Sequence, residues 1–330
     1  MELKPIKILS SGCYLPKLIS SEEIERKFNL AVGWSVKFSG VKNRHHVSHE
    51  SNGWMGARAL ENALENGGLD LSHIDLLISA GGTYDYPLPN QASIIKKELK
   101  NGNDYTFGCI DIDCTCLSFV TAFDIAAKFL DGKQYKNIAI ISSEIASKGL
   151  NPTNKETVSL FGDAAVAIIV AYDSTMQHGI IKGNIKTYVE GSELTMIKGG
   201  GNMYFFKDYP YDPHLHSFHM DGIKLLKLAK KKIPDFITDF FSNIPIELSE
   251  VTWILPHQAS KFGLEVFYNL YPEIRNKSLS NLENRGNCIA ASIPLLLHEN
   301  IENGTIKRGD ILFITGTSAG FSIGGCLFKY

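Results

Sequence analysis

The sequence has no long apolar run, no excess of one charge and no regularly spaced cysteine pairs. Its longest uninterrupted apolar stretch, Ala164 to Tyr172, is far short of the roughly 20 residues that a membrane-spanning helix needs. The start, MELKPIKILSSG, carries no apolar segment of the kind that directs export. The 33 Lys and Arg residues against 35 Asp and Glu leave a net charge of −2. That balance offers no basic field for nucleic acid and no cationic cluster for a membrane surface. The expectation is a cytoplasmic protein that engages neither. In that compartment its cysteines (Cys13, Cys109, Cys114, Cys116, Cys288 and Cys326) are reduced thiols. Structural zinc takes four Cys or His ligands, commonly in Cys-x-x-Cys pairs. Here Cys114-x-Cys116 has only Cys109 nearby and no matching pair downstream, so no metal site is expected.

What is present is an alternation of short β-rich runs and longer helical ones. IKILSSGCYLP, IDLLISAGG, FGCIDID, NIAIISSE and DAAVAIIVAY read as strands. Segments 22–28, 52–65, 90–100 and 116–130 have helical spacing. After an irregular stretch at 191–219 the scheme repeats loosely. A helix at 221–241 precedes the strand VTWILP, a helix from Ser260, an apolar helix at 288–300, and two closing strands joined by a Gly-rich turn. This is the α/β class. Two halves of similar make-up meet near residue 175 without a low-complexity linker. They point to a duplicated α/β unit, 1–175 and 176–330, with intimately packed halves.

The segment DIDCTCLSFV poses the functional question. A cysteine in an apolar run is ordinarily core. Cys116, however, stands where a buried strand gives way to an apolar helix. There the helix dipole and free N–H groups are expected to favour its thiolate. Cys114, on the strand side, reads as packing. A nucleophilic cysteine needs partners from elsewhere in the chain. VTWILP runs straight into His257, at the rim of a core, and Asn287 lies in a loop feeding another helix. A loop His or a capping Asn alone is weak; three such residues, each at a junction into a helix, make the case.

On these residues the chain resembles the β-ketoacyl-acyl-carrier-protein synthase III family, of the thiolase fold. The likeness spans nearly the whole chain. It includes GCYLP, GWSVKFSGVKNR at 33–44, the cysteine segment, FGDAAVA, PHQAS, GNCIAAS and GTSAGFSIGG. The resemblance implies duplicated halves in a five-layered α-β-α-β-α arrangement. It implies an acyl group carried on Cys116, with the backbone N–H groups of Cys116 and Ala319 as oxyanion donors. His257 and Asn287 would bind the extender thioester and stabilise the enolate formed when it loses CO₂. A thiolase would want a second cysteine in the turn at 316–322, which has none. No cofactor is implied beyond acyl-coenzyme A or acyl-carrier-protein thioesters as substrates. The resemblance also implies a homodimer in which Leu88 closes a neighbour's acyl pocket.

The chain departs from the family pattern in places that bear on substrate. Leu117 and Ser118 replace small residues after the nucleophile. Thr317, Ser318 and Ala319 interrupt a glycine run, and Ala resists the positive φ that Gly accepts. Trp34 matches an aromatic at the coenzyme A entrance, but Phe38, Phe262 (beside Lys261) and Lys155 stand where the family has arginines. Loss of guanidinium forks weakens phosphate recognition, which points to a specialised member acting on a longer or unusual acyl chain. His214, His216 and His219 lie in an aromatic-rich loop that reads as a lid. Lys224, Lys227 and Lys231 read as a solvated helix face, with an acidic carrier as the minority reading, and Asp163 braces a turn. Two other functions fit less well. One is transfer of the Cys116-bound acyl group to a hydroxyl or amine without decarboxylation, against which Asn287 argues. The other is a non-catalytic subunit of a heterodimer, which would have lost the cysteine.

Overall fold

A computed structural model describes residues 3–330. Its strands form two principal sheets. The first runs, in spatial order, Lys7–Tyr14, Ala164–Ala171, Asn137–Glu144, Leu76–Ala80 and Gly108–Ile112. The second runs Trp253–Pro256, Ile311–Ser318, Ser322–Lys329 and Gly179–Thr187. Every strand of the first precedes those of the second in the chain, with the changeover between Ala171 and Gly179. Leu76–Ala80 pairs in parallel with both of its neighbours, which needs long crossovers. Helices Gln91–Glu98 and Ser118–Phe129 supply them.

Leu76–Ala80 and Ala164–Ala171 are buried along their whole length, which is why they read as unbroken apolar runs rather than alternating ones. The twofold strand period divides their side chains between two cores. Leu76, Ile78 and Ala80 face a central cluster with Phe119 and Phe123, which continues to Leu312 and Phe328 of the second sheet. Leu77 faces an outer cluster with Met55, Leu60 and Ile95. Helices Ser118–Phe129 and Ser292–Glu302 thus lie between the sheets, with Asn52–Gly67 and Gln91–Glu98 outside the first. Outside the second sheet, Gly222–Phe241 and Lys261–Leu270 put Ile233, Phe236 and Phe267 against Ile254 and Phe313. These are five layers, α-β-α-β-α, as a thiolase fold has. No helix among the described residues is long and apolar enough to cross a membrane.

Two helix starts differ from the sequence expectation. The segments at 116–130 and 288–300 open with tight single turns, Thr115–Leu117 and Ile289–Ala291, before regular α-helix begins at Ser118 and Ser292. The cause is a left-handed residue at each turn, Thr115 at φ +50° and Ile289 at φ +49°, which breaks the helical path.

Candidate active site

A single cavity of about 1480 Å³ draws on both halves, and Cys116, His257, Asn287 and the turn at 315–320 all line it. Residues far apart in the chain are thereby brought together by the turns that open the helices Ser118–Phe129 and Ser292–Glu302 and by the end of strand Trp253–Pro256.

Cys116 is half-buried and lines the cavity. Burial pushes its thiol up to about 12, and the nearby Glu144 carboxyl acts in the same direction. The backbone N–H groups of Ala319 and of Cys116 itself are aimed at the sulfur and oppose that rise. This corrects the expectation of a resting thiolate: desolvation outweighs both the helix terminus and the two amides, so the thiol is protonated at rest. The two amides still converge where an acyl oxygen's negative charge would develop. Ala319 itself avoids the left-handed region, which falls instead on Gly320 (φ +73°) and Phe321 (φ +46°). The expected conflict between an alanine and positive φ does not arise.

His257 is held by its backbone, whose N–H donates to Thr315 O at 2.8 Å. Gly316 is required beside it, because a side chain there would start 2.5 Å from His257 Cβ. Burial lowers the imidazole to about 4, so it is neutral near pH 7. Its Nδ1 is buried with no partner among the described residues. The adjacent Gln258 is fully buried and braces the segment at 280–282, accepting from Ser280 Oγ at 2.7 Å and from the Leu282 N–H at 3.2 Å.

Asn287 has its carboxamide orientation fixed. Oδ1 accepts from the Ile289 N–H at 2.9 Å, and Nδ2 donates one proton to Ala259 O at 3.2 Å. The second Nδ2 proton remains available to the cavity.

Sequence reasoning missed Glu144. It ends the strand Asn137–Glu144, fully buried, and accepts from the Gly82 N–H (2.8 Å), Thr83 Oγ1 (2.5 Å) and the Ala290 N–H (3.4 Å). Burial raises its carboxyl to about 8, so it is largely neutral at pH 7. The only sequence signal was an acid closing an apolar run. Asp113 was also missed. It lines the cavity, accepts from the Thr115 N–H at 2.8 Å and takes a long contact from Tyr84 Oη at 3.3 Å.

The predicted substrate-contact residues divide into two groups. Trp34 and Phe38 stack at 4.0 Å, the Lys155 ammonium lies 5.6 Å from the Trp34 ring centre, and Phe262 is half exposed; all four line the cavity. Leu88 does not line the cavity of its own chain and is 85% exposed. Cys114 packs against the central core. Asp163 braces as expected, accepting from the Val47 N–H and the Ser147 N–H at 2.8 Å each. His214 and His219 line the cavity, whereas His216 stacks on Tyr211. Among the described residues no three His, Cys, Asp or Glu side chains are grouped as a metal site. Lys224, Lys227 and Lys231 are exposed on Gly222–Phe241.

Comparison with known proteins places this site in a family. Residues 110–188 match the family described as 3-oxoacyl-[acyl-carrier-protein (ACP)] synthase III, and residues 242–330 match its C-terminal domain. A β-ketoacyl-[acyl-carrier-protein] synthase III of Neisseria meningitidis serogroup B is 30% identical over 330 residues, covering 98% of this chain and 99% of that one. The crystal structure of the 3-oxoacyl-[acyl-carrier-protein] synthase III of Aquifex aeolicus superposes with a TM-score of 0.87 at 26% identity, covering 98% of this chain and all of that one. The chain belongs to the β-ketoacyl-[acyl-carrier-protein] synthase III family.

Proposed function

We propose that the protein is a decarboxylating condensing enzyme of fatty-acid-type synthesis, acting on acyl-coenzyme A or acyl-carrier-protein thioesters in the cytoplasm. In the first half-reaction Cys116 Sγ attacks the donor carbonyl. The new Sγ–C bond replaces the donor's C–S bond, and the cysteine proton leaves on the departing thiolate. The N–H groups of Cys116 and Ala319 stabilise the oxyanion. In the second, a malonyl-type thioester loses CO₂. Its enolate oxygen accepts from neutral His257 and from the free Nδ2 proton of Asn287. The enolate carbon attacks the acyl carbonyl, the Sγ–C bond breaks, and the cysteine thiolate takes a proton from water. Because CO₂ loss makes the carbanion, two hydrogen-bond donors are worth more here than a general base.

The observation that carries this reading is a neutral imidazole and an oriented carboxamide lining one cavity with the half-buried Cys116. A base-driven acyl transfer would want a basic imidazole, and burial makes this one a poor base. The aromatic mouth formed by Trp34, Phe38 and Phe262 supports selectivity for a primer other than acetyl. Segments 1–175 and 176–330 serve as the duplicated halves, one bringing the nucleophile and the other the His and Asn. Homodimerisation has support in Gly108–Ile112, an open sheet edge, and in Leu88, exposed and free to reach a neighbour's pocket. Light scattering tests the assembly; a stable, active monomer would contradict it. Incubation with an acyl thioester and labelled malonyl thioester tests the chemistry. Labelled CO₂ and a 3-oxoacyl product are expected. An ester or amide product without CO₂ would replace this reading with acyl transfer.

A further inference from the structure

Asp113 and Asn287 hold their turns in the same way. Each uses Oδ1 to accept from the N–H two residues on, Thr115 at 2.8 Å and Ile289 at 2.9 Å. The turn therefore needs one oxygen, and an asparagine supplies it as well as an aspartate does. Asp113 brings a full negative charge besides, three residues before the nucleophile. That charge adds to the rise of the Cys116 thiol and of the Glu144 carboxyl, so it works against thiolate formation. A role in the turn alone does not account for it. The second oxygen, Oδ2, has only the long contact from Tyr84 Oη at 3.3 Å. In the matching position Asn287 presents its free Nδ2 proton, so one turn offers an acceptor where the other offers a donor. Asp113, Tyr84 and Thr115 all line the cavity, and Thr115 Oγ1 is buried with no partner among the described residues. Gly82 keeps this corner open, because a side chain there would start 3.3 Å from Thr115 Cα and 3.9 Å from Asp113 Oδ1. The one Lys or Arg that lines the cavity among the described residues, Lys155, lies over the Trp34 ring. A carboxylate oxygen and an unpartnered hydroxyl beside the nucleophile suit a group that donates hydrogen bonds.

We propose that Asp113 is a specificity-determining residue, whose Oδ2 accepts a hydrogen bond from a hydroxyl or ammonium group on the third carbon of the acyl group carried by Cys116. This rests on the condensing reading, since the donor belongs to the acyl group on that cysteine. A substituent on the third carbon lies four bonds from the sulfur, about 5 Å away when the group is extended. That reach matches the roughly 5–6 Å between side chains three residues apart on one turn. Asp113 takes no proton in the reaction; it orients the acyl group and selects it. Acyl groups with methyl at this place leave the carboxylate and the Thr115 hydroxyl without a partner.

The test uses three coenzyme A thioesters of nearly the same shape: butyryl, 3-hydroxypropionyl and β-alanyl. They differ only in whether the third carbon bears methyl, hydroxyl or ammonium. The readout is the rate of Cys116 acylation at pH 7 by intact mass, with each protein's butyryl rate as its own reference. That ratio cancels any general change in thiol reactivity or folding. Wild type should favour at least one polar isostere over butyryl by about tenfold, the lower range for a hydrogen bond to a charged group, since Asp113 is solvent-exposed. Asp113→Asn keeps the oxygen that the turn needs, as Asn287 shows, and replaces Oδ2 with a donor. It should abolish a preference for β-alanyl, because an ammonium cannot accept from a carboxamide. A preference for 3-hydroxypropionyl should fall only a fewfold, because a hydroxyl can accept as well as donate. The wild-type series needs no variant and decides the matter even if Asp113→Asn does not fold. Butyryl favoured over both polar isosteres by wild type, or the same three-way profile in both proteins, overturns the assignment of Asp113 and leaves the condensing reading standing. Failure of Cys116 to accept any of the three overturns the condensing reading and the assignment with it.

Discussion

The two halves carry the same short structure at the cavity, and the proposed function gives the two copies different chemistry. In the first half Asp113 Oδ1 accepts from the Thr115 N–H at 2.8 Å, and Ser118 Oγ accepts from the Cys114 N–H at 2.9 Å. In the second, Asn287 Oδ1 accepts from the Ile289 N–H at 2.9 Å, and Ser292 Oγ accepts from the Cys288 N–H at 3.0 Å. Thr115 and Ile289 have nearly the same left-handed φ, and both turns feed helices of the central layer. The register therefore pairs Asp113 with Asn287, Cys114 with Cys288, Cys116 with Ala290 and Ser118 with Ser292. One copy presents its fourth residue as the nucleophile. The other presents its first residue as a hydrogen-bond donor and leaves an alanine at the fourth. A left-handed β-branched residue costs about 1–3 kcal/mol, and it appears at the same place in both copies. The strained turn is the common part, and chemistry is set by which of its residues is reactive.

The largest expected effect comes from erasing the difference at the first position. Asn287→Asp would make the second turn match the first and replace a donor with an acceptor. Malonyl-thioester decarboxylation should fall about a hundred- to a thousandfold, the usual cost of one oxyanion donor, while acylation of Cys116 persists. Labelled CO₂ release and intact mass check the two halves of that statement.

The next concerns the fourth position. With its thiol pushed up to about 12, Cys116 should react with iodoacetamide about tenfold faster per pH unit from pH 7 to 10, without a plateau. A plateau near pH 7 would mean a resting thiolate and would restore the helix-terminus expectation.

Glu144 joins the two copies, since it contacts the Ala290 N–H and raises the Cys116 thiol. Its folded carboxyl titrates near pH 8, against an ordinary 4.5. Between those values the folded chain keeps a proton that the unfolded chain has released. The stability present below pH 4.5 is therefore lost as pH rises toward 8, by up to about 1.4 kcal/mol per unit. Glu144→Gln keeps an acceptor for the two N–H groups and does not titrate. Relative to wild type it should gain several degrees in Tm between pH 5 and pH 8.5; a constant difference across that range would contradict the buried-acid account.

Smallest is the shared serine. Ser118→Ala and Ser292→Ala each leave a buried or part-buried N–H unpaired, and each should cost about 1–3 kcal/mol by denaturant unfolding. If the turns are equivalent the two losses agree within about 1 kcal/mol.

Much of this was legible in the sequence, for identifiable reasons. Strands buried on both faces announce themselves as apolar runs, so NIAIISSE and DAAVAIIVAY gave the sheet and, with the second set, the duplication. That Cys116, His257 and Asn287 deserve to be considered together was legible because each sits at a junction into a helix, and the structure brings the three to one cavity. The state of the thiol was not, because it is set by desolvation and by Glu144, which only the folded chain brings near it. Nor was Glu144, whose partners Gly82, Thr83 and Ala290 come from two distant segments. The equivalence of the turns was hidden for a similar reason. DCTCLS and NCIAAS share only Cys and Ser in register, and the match lies in φ angles and hydrogen bonds.

The central claim is that one strained turn carries the nucleophile and its copy serves the enolate site, so the half-reactions separate by half of the molecule. Intact-protein mass and labelled CO₂ release, measured together on Cys116→Ala, Asn287→Ala and His257→Ala, test this most directly. Cys116→Ala should take up no acyl group yet still release CO₂ slowly from a malonyl thioester. Asn287→Ala and His257→Ala should still gain one acyl group at Cys116, with decarboxylation and condensation reduced about a hundredfold or more. Acylation that survives in Cys116→Ala, or full condensation by Asn287→Ala, would contradict the account.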